Sequence, residues 1–406
     1  MAKDRLYYHD SKLCEFEADV ISCEGPFEKE DGAGFWKVKL SPNAFYPESG
    51  GQPSDRGKVD DVDVIDVIED EQGEVVVILG QEVAGKVSCL IDSARRFDLM
   101  QQHTGQHILS AAMERLFGYE TIGFHLSEEY CTVDLDVDRL DESQADQAED
   151  LANSIVFLDV PVRAEFVDDA KLASYELRKV PKVDSDIRIV SVEGFDNCPC
   201  GGTHVSRTGE IGLVKITRID RAKGKVRIEV LCGGRALADY RRKNKQLASA
   251  AMSLSIHPME LESQVGRILS QLKESKKSLQ EASTMLMEYD SARIWDEAER
   301  VSGVKVIVYD AGQGGMDFAK QFALKLVSNP STAAAIGASG PDTAYLVVAR
   351  SQDLGLDASA VFKAAITSLE GKGGGNKAMA QGGGAKLGGL AAALEEAKMA
   401  LLEQIG

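Results

Sequence analysis

No stretch of the 406-residue sequence approaches the ~18 to 20 uninterrupted apolar residues that a membrane span needs, and the opening Met1-Ala2-Lys3-Asp4-Arg5 leads into no apolar signal core. Both lacks point to a cytoplasmic protein without a membrane segment. Cysteine is scarce: seven residues, an odd number spread thinly along the chain, which excludes a secreted disulfide scaffold and makes reduced thiols the default. Cationic charge is short as well. The 46 Lys and Arg against 65 Asp and Glu leave −19, which argues against a surface coated for nucleic acid. What is present is ordinary for a folded chain: 44% apolar and 27% charged residues allow each domain a core and exclude a wholly disordered or fibrous protein. At ~100–200 residues per domain the length predicts two to four domains.

Residues 1–90 read as β structure, because runs such as Trp36 to Leu40, Val62 to Ile68 and Val75 to Leu79 are separated by Gly, Pro and Asp turns. Several short strands with no helix between them must close or stack to hide their edges, so a small barrel is expected. Residues 91–235 open with a helix from Ala94 to Phe117, with Ser93 as its expected cap and Gly118 as its stop. They continue with strands and an acidic helix over about 141–157, an α+β pattern. In 236–300, Leu261, Val265, Ile268, Leu272, Leu279, Ala282, Leu286 and Tyr289 follow a heptad seam, which predicts either a helical hairpin on its own chain or a homodimer contact. Residues 301–406 alternate strand, helix and strand and contain a glycine-rich segment from Lys372 to Gly384, a compact α/β unit. The fold class is therefore α+β: barrel, α+β domain, helical segment and C-terminal α/β domain.

Two residue pairs carry chemistry. His103 and His107 stand four apart on a strongly patterned helix and share a face, which suits a metal but also suits capping or a polar lining. Cys200 and His204 stand four apart in Cys198-Pro199-Cys200-Gly201-Gly202-Thr203-His204, where the glycines permit a tight bend. Cys198 is the alternative thiol. Three imidazoles and a thiolate in a reducing compartment favour zinc over magnesium or calcium.

The order of these motifs resembles the editing domain of alanyl-tRNA synthetase and its free-standing relatives, the AlaX trans-editing proteins. Phe45-Tyr46-Pro47-Glu48-Ser49-Gly50-Gly51-Gln52 is similar to the glycine segment that precedes the two histidines in that family, and the C-terminal glycine stretch resembles the DHH-associated domain. Together they look like the long form of AlaX. The resemblance implies a hydrolase, an aminoacyl-tRNA deacylase that clears alanine tRNA charged with serine or glycine. It implies one zinc per chain on His103, His107, Cys200 and His204, and substrate contacts from Gly50, Gly51 and Gln52. Asn43 departs from the pattern, for relatives often carry threonine there, whose hydroxyl can help recognise the serine side chain; the Asn43 amide is a candidate for that bond, and the pattern does not fix which residue reads the substrate. From Lys215 to Lys245 there are 11 bases and 3 acids, which nominates Arg218, Arg221, Lys223, Lys225 and Arg227 for tRNA phosphates. Lys372 and Lys377 join them in the glycine-rich segment. The rival readings are a deacylase of mischarged threonine tRNA and a non-catalytic, zinc-stabilised RNA-binding protein.

Overall fold

The computed structural model describes residues 5–28, 34–181, 186–222 and 224–406; Met1 to Asp4 and Lys223, named above, lie outside the described residues. The chain divides into two compact units, Met1–Pro258 and Met259–Gly406.

In the first unit, β1 (Glu15–Glu28), β2 (Gly34–Ser41), β3 (Gly57–Val59), β4 (Val62–Glu69), β5 (Val75–Leu79) and β6 (Lys86–Ile91) close into a barrel in the order β1-β2-β5-β4-β3-β6. Closure pairs every edge, and Val38, Val67, Val77 and Leu79 fill the interior. Helix α1 (Ser93–Phe117) follows directly. Its cap is Asp92, one residue ahead of the expected Ser93: the Asp92 carboxylate accepts from Arg95 N at 3.0 Å, and a carboxylate also suits the positive end of the helix dipole. Gly118 ends it in a left-handed conformation, φ +69°. Every residue from Leu99 to Met113 is buried, so α1 runs through the middle of the unit.

Around α1 lie β7 (Thr121–Leu126), β8 (Cys131–Leu135), α2 (Glu142–Leu158), β9 (Val162–Val167), α3 (Asp169–Leu172), β10 (Ile187–Val192), β11 (Asp196–Pro199), β12 (Val214–Ala222), β13 (Lys225–Cys232) and α4 (Gly233–Ser253). The strands form two antiparallel sheets, β12-β13-β8-β7 and β11-β10-β9. The acidic helix expected near 141–157 is α2, started by a capping box between Asp141 and Gln144.

The second unit comprises α5 (Leu261–Glu297), β14 (Arg300–Val301), β15 (Val304–Asp310), α6 (Gly315–Val327), β16 (Thr332–Ser339), β17 (Ala344–Arg350), α7 (Ala358–Ala365), β18 (Lys372–Gly375), β19 (Met379–Gly384) and α8 (Leu390–Ile405). One mixed sheet, β14-β15-β16-β17-β19-β18, carries helices on both faces. Two elements depart from the sequence reading. The glycine-rich segment forms two strands, the edge hairpin β18–β19, and β16, an alanine-rich strand, sits unannounced at the sheet centre. Glycine is required in the hairpin because α7 lies directly on it: a Cβ on Gly373 or Gly382 would come within 2.7 Å of the Phe362 ring. The helical run expected over 236–300 consists of α4 and α5, one in each unit, and the α5 seam leaves Val265, Leu272, Leu279, Leu286 and Tyr289 exposed.

Candidate metal centre

The two sequence-distant pairs meet. His103 and His107 project from one face of α1, while the turn after β11 delivers Cys200 and His204, and one ligand atom from each lies within 4.8 Å of all the others. The Cys200 Sγ is 3.4 Å from His103 Nε2 and 3.3 Å from His204 Nε2. All three imidazoles are buried. Cys198 makes no part of the cluster; its thiol is buried and pushed up to about 11, chiefly by that burial.

What orients the rings is a set of acceptors behind them. His103 Nδ1 is 2.8 Å from Gln52 Oε1, which also takes Thr203 N at 3.1 Å, while Gln52 Nε2 donates to Thr203 Oγ1 at 2.8 Å. Gln52 thus uses its carbonyl oxygen twice and one of its two amide protons, and it is fully buried. The Thr104 hydroxyl donates to Met100 O at 2.8 Å, so its oxygen accepts from His204 Nδ1 at 3.1 Å and from Val205 N at 3.2 Å. Both arrangements leave the Nε2 lone pair facing the thiol, the tautomer a metal ligand needs. Phe124 on β7 lies flat against His103, ring centroids 5.1 Å apart and 21° between planes.

The Cys200 turn is clamped from the other side. Buried Arg188 donates through one nitrogen to Cys200 O at 2.9 Å and Gly202 O at 2.8 Å, and its own carbonyl accepts from Cys200 N at 3.0 Å. Burial pulls this guanidinium down from its ordinary value, with the Cys200 thiolate opposing. Burial disfavours the Cys200 thiolate, but the surrounding His103, His204 and His107 outweigh it and hold the thiol well below its usual range. His204 falls to about 3, mainly through burial, so its ring is neutral at working pH. Soft thiolate plus three neutral-capable imidazoles is a zinc-type donor set.

The glycine turn of the barrel abuts this cluster. Gly50 and Gly51 have φ of +59° and +86°, which only glycine adopts without strain, and a Cβ on Gly51 would sit 3.0 Å from Phe124 O. Leu126 N donates to Gly51 O at 3.0 Å, joining turn and β7, while the Gly50 and Gly51 N–H groups have no partner among the described residues. Asn43 precedes this turn and is buried. Its Oδ1 takes Phe45 N at 2.9 Å, its buried Nδ2 has no partner, and it lines a cavity of about 290 Å³ with Arg5, Lys39, Ser41 and Glu74.

The basic residues are unevenly available. Lys225 and Arg227 both grip Asp134, at 2.5 Å and at 2.6 and 2.8 Å, and Arg218 pairs with Asp220 at 2.9 Å. Arg221 has no ion pair among the described residues and lines a cleft of about 860 Å³ with Arg139. Lys372 and Lys377 are exposed on the β18–β19 hairpin and likewise unpaired among the described residues. Sequence reasoning missed Thr104 and Arg188. Thr104 alone carried a signal, its place between the two histidines.

The chain matches the family pattern described as the threonyl and alanyl tRNA synthetase second additional domain over residues 187–229, and the DHHA1 domain over 303–403. It is 30% identical over 393 residues to the alanyl-tRNA editing protein AlaX-L of Pyrococcus horikoshii, covering 93% of this chain and 94% of that protein. It is also 30% identical over 400 residues to the alanine–tRNA ligase of Archaeoglobus fulgidus, covering 94% of this chain but 42% of the ligase. Over 26% of its length it aligns with the C-Ala domain of the Aquifex aeolicus alanyl-tRNA synthetase, covering 98% of that chain at 21% identity and a TM-score of 0.25.

Proposed function

Because the chain belongs to the long-form AlaX family of alanyl-tRNA editing proteins, we propose that it deacylates alanine tRNA wrongly charged with serine, and with glycine, by hydrolysing the aminoacyl ester. The observation that carries this reading is the His103, His107, Cys200 and His204 cluster lying against a glycine turn with two unpartnered amides. An aminoacyl ester is already activated, so catalysis asks mainly for positioning and for donors at the developing oxyanion. The Gly50 and Gly51 N–H groups are the donors proposed for that task. Gln52 holds His103 in register through its carbonyl oxygen, and its second amide proton is the one proposed for the substrate. Asn43 offers an unused amide N–H for the serine hydroxyl; a site that hydrogen-bonds a hydroxyl rejects the analogue lacking it strongly.

His103, His107, Cys200 and His204 would hold one zinc per chain; with all four bound it would order the cluster, and with one ligand released it would supply Lewis-acid charge to the ester. Arg218, Arg221, Lys223, Lys225 and Arg227 in the first unit and Lys372 and Lys377 in the second are proposed to meet tRNA phosphates. The exposed α5 seam suits a homodimer contact. No helix among the described residues is long and apolar enough to cross a membrane, in keeping with a proposed place in the cytoplasm alongside its tRNA.

The test is a deacylation panel, run with metal analysis on the same sample. Seryl- and glycyl-charged alanine tRNA are expected to be hydrolysed and alanyl-charged alanine tRNA spared. Activity confined to seryl-charged threonine tRNA would move the assignment to threonine editing. Stoichiometric metal with no deacylation of any member would leave a zinc-stabilised RNA-binding protein.

A further inference from the structure

Two of the three imidazoles in the cluster have their outward nitrogen satisfied by a neutral acceptor, Gln52 for His103 and Thr104 for His204. The third does not. His107 Nδ1 is buried without a hydrogen-bond partner, and the group facing it is the carboxylate of Asp196, with Oδ2 at 3.7 Å. Asp196 stands at the start of β11, the strand that leads into the Cys200 turn, so one short strand carries both a ligand and the carboxylate behind another ligand. That carboxylate is nearly sealed from solvent, its side chain 2% exposed. It is held in a fork by Arg178, whose Nε and Nη2 donate to its two oxygens at 2.8 and 3.2 Å. Arg178 is itself fixed by its backbone N–H on Asn197 O at 2.9 Å and has its side chain 6% exposed.

We propose that Asp196 is a positioning residue of the metal centre: it accepts the Nδ1 proton of His107 and so turns Nε2 toward the cluster, with Arg178 as the counter-ion that keeps the carboxylate charged and oriented. Three arguments support this. A buried N–H left unpaired costs about 1–3 kcal/mol, and Asp196 Oδ2, 3.7 Å from His107 Nδ1, is the carboxylate oxygen that faces it. A carboxylate behind a ligating histidine fixes its tautomer and raises its basicity. The charge also balances locally, since Asp196 and Arg178 cancel, so the pair steers His107 without adding net charge to the cluster. A purely structural ion pair would anchor the segment around Arg178 to β11 equally well, but it would not require a histidine nitrogen aimed at the carboxylate.

This inference rests on the reading of the cluster as a metal site, and the experiment separates the two. The full-length protein is stripped with a chelator, then titrated with Zn(II) in chelator competition and with Co(II) while its visible ligand-field bands are recorded. Asp196→Asn is expected to weaken metal binding by about 10–100-fold and to shift the Co(II) bands, with Asp196→Glu recovering part of the affinity. Should Asp196→Asn fail to fold by circular dichroism, Arg178→Gln, which keeps the carboxylate but frees its fork, is expected to weaken binding to a smaller but measurable degree. Wild-type affinity and unchanged bands in whichever of these variants folds would overturn the role of Asp196. A wild-type chain that bound neither ion would instead remove the metal reading itself.

Discussion

Gly202 leaves no space for a side chain: a Cβ there would lie 2.2 Å from His103 Cε1, 2.5 Å from its Nδ1 and 2.9 Å from Gln52 Oε1. Phe124 is stacked on one face of that ring, and Arg188 pins the Gly202 carbonyl. Gly202→Ala is therefore expected to push His103 off Gln52 and weaken zinc binding by about tenfold or more, in the range seen when outer partners of a ligand are lost. Gly201→Ala, whose Cβ would meet only Tyr8 Oη at 3.8 Å, is expected to leave zinc binding unchanged. Zinc competition on both variants, with circular dichroism as the fold control, checks the pair; equal affinities would refute the steric argument. At this scale the sequence was legible where chemistry follows local spacing. His103 and His107, then Cys200 and His204, declare themselves as i, i+4 pairs. That Gln52 and Thr104 serve as the acceptors aiming them was not legible, since Gln52 meets His103 from 51 residues away and Thr104 meets His204 across 100, separations that only the tertiary fold sets.

The barrel and α1 are locked together by one buried ion pair. Arg96, 1% exposed, donates through Nε to Asp55 Oδ1 at 2.9 Å and through its terminal nitrogens to Asp55 Oδ2, Ser11 O at 2.8 Å and Ala44 O at 2.7 Å. Asp55 in turn takes Tyr46 N at 2.6 Å. The clamp thus spans the segment between Ala44 and Asp55, which contains the glycine turn, and fixes it to the helix that bears His103. Arg96→Met strands a buried carboxylate and is expected to cost about 3–5 kcal/mol, read as a lower denaturation midpoint at unchanged slope. Arg96→Met with Asp55→Asn together is expected to cost less than the single change; a larger loss in the double variant would contradict the account. Elements were readable from sequence where pattern and capping agree, as in α1 and α2. They were hidden where side chains carry no strand signal: β16 is alanine-rich and β18 is almost all glycine, residues with little intrinsic preference for strands. Packing of α7 against the glycines, not propensity, builds that edge.

Over the whole molecule the charge of −19 is unevenly placed. Asp60 to Glu74 carries eight acids and no base, while Lys215 to Lys245 carries +8, so a tRNA would meet a polarised surface. The fold narrows that further, because formal charge counts toward phosphate binding only where it is free. Arg227 is bidentate on Asp134, and this pairing draws the Asp134 carboxyl down to about 2, mainly through the Arg227 hydrogen bonds and then those of Lys225. A phosphate competing for Arg227 must break that contact, whereas Arg221, Lys372 and Lys377 are unpaired among the described residues. If each free cation that meets a phosphate releases counter-ions, the slope of log affinity against log salt changes by roughly 0.7–0.9 per contact. Arg221→Gln and Lys377→Gln are each expected to flatten the slope for alanine tRNA by about that amount, and Arg227→Gln by distinctly less. Filter binding across a salt series checks the order; an Arg227 effect equal to that of Arg221 would mean that Asp134 yields its partner to RNA, making the whole basic run one interface rather than a few free positions.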